Sequence, residues 1–344
     1  MSMFHHATPA LGRRAFLWGL AASGLATLSG SRTASAQQMK ATLAYGSTGY
    51  TWAVTFVAEA LGTWKNAGVD LSVVDFPTGR ESMQALLAGS AEFSASTDTP
   101  FIFAALQGLK PLILVNYSRY SRDMKIVVRK EGGINPLAPA SLKGKKIATR
   151  VGTSGQYMLA KYLEMAGLSI KDVTIIDMSP NDMTIATVRG DVDGFSWTSQ
   201  AAVVADRQAP GKVAVMTQEG LEKYFQSHQL LLTSERVVRE KPQLAAAAVK
   251  ALFDAEARMA SDPNWAALIA ARVRTTPEEI TSATKDFEFK IGFDERFIDD
   301  LVAQAEWAIA AGLSKKPEGD LRAVLRSLVY DGPVKAVHPE RVSI

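Results

Sequence analysis

Residues 145–166 read Lys-Lys-Ile-Ala-Thr-Arg-Val-Gly-Thr-Ser-Gly-Gln-Tyr-Met-Leu-Ala-Lys-Tyr-Leu-Glu-Met-Ala. Lys145 to Thr149 has the character of a short strand, and Gly152-Thr153-Ser154-Gly155 is a loop of small residues. Met158, Leu159, Tyr162, Leu163 and Met165 then recur at helical spacing. A helix start following a strand aims unpartnered backbone N–H groups and two hydroxyls into one cleft, where the helix dipole favours an anion. Thr and Ser serve equally well as ordinary N-caps. A second loop of the same kind, Gly46-Ser47-Thr48-Gly49 after the strand Met39–Tyr45, favours the anion reading.

The two loops belong to an internal repeat. Gly46 pairs with Gly152, Ala67-Gly68 with Ala166-Gly167, Pro77 with Pro180, and Leu87–Glu92 with Val188–Asp193, at offsets of 106, 99, 103 and 101 residues. The first unit reads as helix 53–66, strand 71–76, helix 81–87, strand 92–96, helix 100–107 and strand 111–117. The second has its counterpart strand at 173–178. Two such units predict an α/β chain of two similar mixed-sheet lobes, with the ligand crevice beyond the carboxyl ends of the parallel strands.

Lys125–Val128 and Gln229–Thr233 are the expected crossing segments between lobes, and double crossings favour hinge closure. Helices at 241–260, 265–272 and 297–311 are expected to return to the first lobe. The expected division is residues 1–36 as an export signal, 37–125 with 234–344 as lobe 1, and 126–233 as lobe 2.

Composition narrows the chemistry. The 344 residues contain no cysteine, which removes thiol nucleophiles, thiolate metal sites and disulfides. The four histidines, His5, His6, His228 and His338, have no metal-ligand spacing, so neither a metal nor another cofactor is expected. The net charge of +3 comes from Arg13, Arg14 and Arg32; without residues 1–36 the chain carries 35 groups of each sign. Balanced charge without a basic run gives no footprint for nucleic acid.

Arg13 and Arg14 precede an apolar run, Ala15–Leu28, and Ala34-Ser35-Ala36 supplies a cleavage signal before Gln37. Fourteen residues span about 21 Å as a helix, too short for the bilayer core. The Arg-Arg-Ala-Phe-Leu run resembles the twin-arginine export signal, which implies a bacterial periplasmic protein.

Further marks follow in order along the body. Leu142–Ala148, Gly152-Thr153-Ser154, Ala166-Gly167-Leu168, Arg189–Gly194, Trp197, Asp331-Gly332-Pro333 and Val337–Glu340 lie at consistent spacing over some 300 residues. Together they resemble the periplasmic substrate-binding proteins of ABC importers, in the subgroup for aliphatic sulfonates, taurine and nitrate. That resemblance implies the two-lobed periplasmic binding protein fold, type II-like. It also implies a monomer that captures a small organic anion by lobe closure and delivers it to membrane permease subunits coupled to a cytoplasmic ATPase. Where the subgroup often has Trp-Glu-Pro, this chain has Trp197-Thr198-Ser199-Gln200, so cargo identity does not transfer.

Candidate ligand-binding residues are Ser47, Thr48, Tyr50, Trp52, Arg80, Thr97 and Asp98 in the first lobe. In the second they are Thr153, Ser154, Gln156, Asp182 and Trp197. Hydroxyls and helix N-termini would hold the acidic head, the aromatics would cover its apolar part, Arg80 would pair bidentately, and Asp98 suits a cationic amine. No catalytic residue is assigned. The competing functions are a cysteine-independent enzyme on the same fold and a ligand-binding partner of a membrane sensor. Relatives of the enzyme kind rely on cysteine, and no G-x-S-x-G, Walker A or H-E-x-x-H motif replaces it.

Overall fold

The computed structural model describes residues 38–46 and 49–344; the expected export signal lies outside the described residues. The chain begins with β1 (Met39–Gly46), α1 (Ala53–Ala60), α2 (Thr63–Asn66), β2 (Val69–Phe76) and α3 (Gly79–Leu87). It continues through β3 (Phe93–Thr97), α4 (Asp98–Leu106) and β4 (Leu112–Tyr120). The second unit comprises β5 (Met124–Arg129), β6 (Lys146–Thr149), α5 (Ser154–Met165), β7 (Thr174–Asp177), α6 (Pro180–Arg189), β8 (Gly194–Thr198), α7 (Ser199–Gln208) and β9 (Val213–Val215). The chain returns through β10 (Ser227–Thr233), α8 (Glu235–Glu240), α9 (Pro242–Ser261), α10 (Ala266–Val273) and α11 (Pro277–Ala283). Last come β11 (Phe293–Asp294), α12 (Glu295–Ala310), α13 (Leu321–Ser327), α14 (Gly332–Val337) and β12 (Val342–Ser343).

Two five-stranded sheets follow one plan, β2-β1-β3-β10-β4 and β7-β6-β8-β5-β9. The first three strands of each are parallel, and the fourth runs antiparallel to both its neighbours. This is the α/β arrangement of the periplasmic binding protein fold. The central strands β3 and β10 are buried along their whole length, as strands covered on both faces must be. β2 lies at an edge and leaves Val73 and Val74 exposed.

The first lobe has one large core, in which Ala-rich α9 packs on α1 and β4. The second has a cluster around Tyr157, Leu159 and Leu163 of α5. A further cluster gathers Met183, Phe195, Trp197 and Ala205.

Besides shifts of up to three residues at element ends, three features differ from the sequence expectation. Helix 53–66 is two helices, because Gly62 adopts a left-handed conformation at φ 66°. Helix α4 starts at Asp98, two residues before Pro100, and so draws Asp98 into its first turn. The segments expected to cross between lobes are strands that insert where they arrive. β5 enters the second sheet, and β10, expected within lobe 2, pairs with β3 and β4 in the first. The actual crossings are the short links 121–123 and 216–226.

Candidate functional site

A small cavity of about 30 Å³ lies between the two sheets. Its walls are the carboxyl ends of β1, β3, β4 and β8 (Gly46, Thr97, Tyr120, Trp197 and Thr198) and the helix starts at Gly79, Thr153 and Ser154. Trp52, from the turn before α1, and Met124, the first residue of β5, also line it. Carboxyl-end loops are where open α/β sheets hold ligands. That volume is far below the ~300–1,000 Å³ usual for small-molecule sites, so a ligand enters only when the lobes part.

The backbone approaches this space closely. A Cβ on Gly46 would lie 2.5 Å from the Gly79 nitrogen, and one on Gly155 would lie 2.8 Å from Trp197 Cε3 and from Thr149 Oγ1. Glycine at these two positions is therefore a packing requirement, because neither backbone can retreat far.

Among the described residues, no Asp, Glu, Lys, Arg or His lines the cavity. Four lining residues carry a buried side-chain atom without a hydrogen-bond partner among the described residues: Trp52 Nε1, Trp197 Nε1, Tyr120 OH and Thr198 Oγ1. Burial holds the Tyr120 phenol far above its ordinary pKa, so it stays a neutral donor. Two indole N–H groups that can only donate, with two hydroxyls, make a donor-rich wall.

Thr97, Thr153 and Thr198 occupy the N-cap positions of α4, α5 and α7, yet none caps its own helix with its side chain. Thr153 Oγ1 instead donates to Arg150 O at 2.7 Å, and Thr97 Oγ1 accepts from Ser154 Oγ across the lobes at 2.9 Å. The ordinary-cap reading fails at these helix starts. It holds at α3, where Thr78 accepts from Arg80 N at 3.2 Å.

The lobes are in contact around the cavity. Arg80 Nη1 donates to Val151 O at 2.8 Å, Arg150 pairs with Glu81 at 2.8 Å, and Gln200 Nε2 donates to Val273 O at 2.7 Å. Burial raises the Glu81 pKa, but hydrogen bonds from Thr78 and Arg150 outweigh it and hold the carboxyl below its ordinary value.

Of the residues singled out in the sequence, Trp52, Thr97, Thr153, Ser154 and Trp197 come together in the cavity wall. Ser47 and Thr48 lie outside the described residues, although their neighbour Gly46 is in the wall. Tyr50 is buried beside an adjoining chamber. Arg80 and Gln156 sit behind the wall on a separate inter-lobe cavity. Arg80 is engaged with Val151 O, and Gln156 Oε1 accepts from Gly152 N at 2.8 Å, so neither reaches the central space.

Asp182 is exposed at the start of α6, hydrogen-bonded to the capping Ser179, and does not line the cavity. Asp98 faces away from the cavity. It accepts from Ser227 Oγ at 2.9 Å, His228 N at 2.8 Å, Gln304 Nε2 at 2.5 Å and Thr99 N at 2.9 Å, which leaves no acceptor for a ligand amine. Tyr120 and Thr198 escaped sequence reasoning. Thr198 had a signal, since it follows Trp197 at a strand end; Tyr120 had none.

The first crossing carries a buried carboxylate. Asp123 accepts from the Ser199 hydroxyl, its carbonyl accepts from Ser199 N at 2.8 Å, and its Oδ2 has no partner. Burial pushes its pKa up to about 6; Ser199 and Lys125 oppose the shift and Asp286 adds to it. Unfolded, it titrates near 3.8. Between the two values the folded state holds a proton that the unfolded state has released. Its contribution to stability is therefore full below the unfolded value and is lost as pH rises through about 6. Asp123→Asn is expected to gain stability relative to the parent as pH goes from about 5 to about 7.5, read from thermal melts across that range. A difference independent of pH would mean that Asp123 titrates normally.

Residues 51–266 match the family model described as NMT1/THI5 like, well over half of the chain. The chain belongs to the NMT1/THI5-like family. A protein of Brucella abortus (strain 2308), named for binding without a stated ligand, is 26% identical over 222 residues, covering 64% of this chain and 66% of that one. This NMT1/THI5-like chain thus spans just under two thirds of the length of that relative. It is 24% identical over 210 residues to the taurine-binding periplasmic protein of Escherichia coli (strain K12), covering 60% and 63% of the two chains. Among solved structures, the alkanesulfonate-binding protein SsuA of Xanthomonas axonopodis pv. citri, bound to MOPS, superposes with a TM-score of 0.72. The match has 20% identity and covers 86% of this chain and 99% of that one.

Proposed function

We propose that this protein is the periplasmic solute-binding component of an ABC importer, a non-catalytic monomer that captures a small organic anion by lobe closure and delivers it to the permease. The observation that carries this reading is a cavity enclosed by both lobes, four of whose lining residues carry a buried polar atom without a partner among the described residues. Neutral hydrogen-bond donors and helix starts stabilise an oxyanion without the desolvation of a buried ion pair. The family relationship supports the same reading, since one relative is named for taurine.

The wall also bears on the choice of acid. A zwitterion such as an aminosulfonate needs an acceptor for its ammonium; among the described residues no carboxylate lines the cavity, and Asp98 is fully engaged. Plain sulfonates and carboxylates fit better. Catalysis is disfavoured because, among the described residues, no His, carboxylate or Lys lines the cavity to act as a general base.

A thermal-shift screen against alkyl and aryl sulfonates, taurine, nitrate and carboxylates tests this, because a ligand selective for the folded state raises the midpoint with the logarithm of its concentration. For the acid with the largest shift, the double variant Thr153→Ala with Ser154→Ala is expected to weaken binding at least ~tenfold while the protein stays folded. Unchanged affinity would remove the start of α5 from the site. A screen without any shift would overturn anion capture.

A further inference from the structure

A second chamber adjoins the cavity. It has a volume of about 420 Å³, and Trp197 and Thr198 line both it and the inner space. Both lobes wall it: Tyr50, Arg272 and Arg274 from one side, Thr184, Gln200 and Arg207 from the other.

Three arginines line the chamber, and two are committed. Arg272 forms a double contact with Asp75, at 2.5 and 3.0 Å, and lies over the Tyr45 and Phe56 rings. Arg207 donates to both Glu279 oxygens, at 2.9 and 3.2 Å, across the lobes. Arg274 is exposed, lines the chamber, and has no carboxylate partner among the described residues.

Arg274 also has a backbone out of the ordinary. At φ 55°, ψ 47° it is the single non-glycine residue with positive φ among those described, at the end of α10 where glycine is the usual occupant. A residue with a Cβ kept in the left-handed region is held there by its surroundings, and such residues cluster at ligand clamps. Three residues of the chamber wall carry a buried side-chain oxygen without a partner among the described residues: Thr198 Oγ1, Thr275 Oγ1 and Gln200 Oε1. The Gln200 amide is oriented by its Nε2 bond to Val273 O, which leaves Oε1 as the free atom.

We infer that the chamber is a second subsite of the same cleft and that the cargo is an elongated diacid. One acid group sits on the neutral donors of the inner cavity, the body passes Trp197, and the second acid group meets the uncommitted guanidinium of Arg274. The inference rests on the anion-capture reading and extends it from one acid group to two. An acid in the outer chamber gains a charge-assisted bond that the inner cavity has no side chain to supply.

The test is calorimetric titration of the purified protein with matched pairs: propanesulfonate against 3-sulfopropionate, and benzenesulfonate against 4-sulfobenzoate. The diacid of a pair is expected to bind at least ~tenfold more tightly. Arg274→Asn should abolish that advantage and leave the Kd of the monoacid unchanged. Asn tolerates the left-handed backbone, and Arg274→Gly serves as a second variant should Asn fail to fold. Monoacids that bind as well as diacids, or a diacid affinity indifferent to Arg274, would overturn the second subsite and leave anion capture standing. No binding by either member of any pair would overturn both.

Discussion

Replacing Asp98 by alanine is expected to destabilise the fold by about 4 kcal/mol, the largest effect of any single substitution considered for this protein. The carboxylate is fully buried and gathers four donors: Ser227 and Thr99 N on Oδ1, His228 N and Gln304 on Oδ2. Removing it strands these donors, and each unsatisfied buried group costs about 1–3 kcal/mol, less whatever an admitted water recovers. Burial raises the Asp98 pKa, with His228 and the donors from Gln304, the His228 backbone and Ser227 pulling the other way.

Asparagine is no remedy. Both oxygens face donors, so its NH₂ group meets an N–H or O–H whichever way the amide turns, and Asp98→Asn should lose about 1–3 kcal/mol. Urea denaturation of the parent and both variants measures this. Unchanged midpoints would show that the cluster joining β10, α4 and α12 contributes nothing to the fold. Affinity for an anion should survive in the folded variants, since Asp98 does not reach the cavity.

The double variant Trp52→Phe with Trp197→Phe should lose about a hundredfold or more in affinity for the captured acid. A hydrogen bond to a charged group contributes about 1.5–3 kcal/mol, and two lost bonds give at least about 3 kcal/mol, at 1.4 kcal/mol per tenfold. Phenylalanine keeps most of the apolar packing, which matters because the Trp197 ring fills the space beside Gly155 and both indoles are almost fully buried. The change therefore isolates the two N–H groups from the volume of the rings. Calorimetry on the strongest ligand of the screen, with melts to verify folding, would measure it. An affinity within a factor of about two of the parent would place both N–H groups outside the ligand's reach.

Much of the architecture was legible in the chain. Strand patterns, the loops opening at Gly46 and Gly152, and the paired terminators Ala67-Gly68 and Ala166-Gly167 depend on near neighbours, and their recurrence at offsets near 100 residues marked two lobes. The two sheets repeat one strand order accordingly. Local chemistry also marked Thr97, Thr153, Ser154 and Trp197, because strand ends and helix starts are written in the residues that make them. Trp52, just before α1, came with the first glycine loop.

The roles of adjacent polar residues were not legible. Thr97 turns to the cavity and Asp98 to the interior, and what separates them is a set of partners 129 to 206 residues away: Ser227, His228 and Gln304. Likewise Arg80 is spent on Val151 O across the lobes, and Tyr120 joins the wall only because β4 ends beside the first crossing. Sequence by itself determined the two-lobed repeat and the loops from which a site would be built, since these rest on short-range pattern and turn chemistry. Tertiary structure alone decided which side chains keep a free donor, because a donor is free or spent according to partners that folding brings from distant parts of the chain.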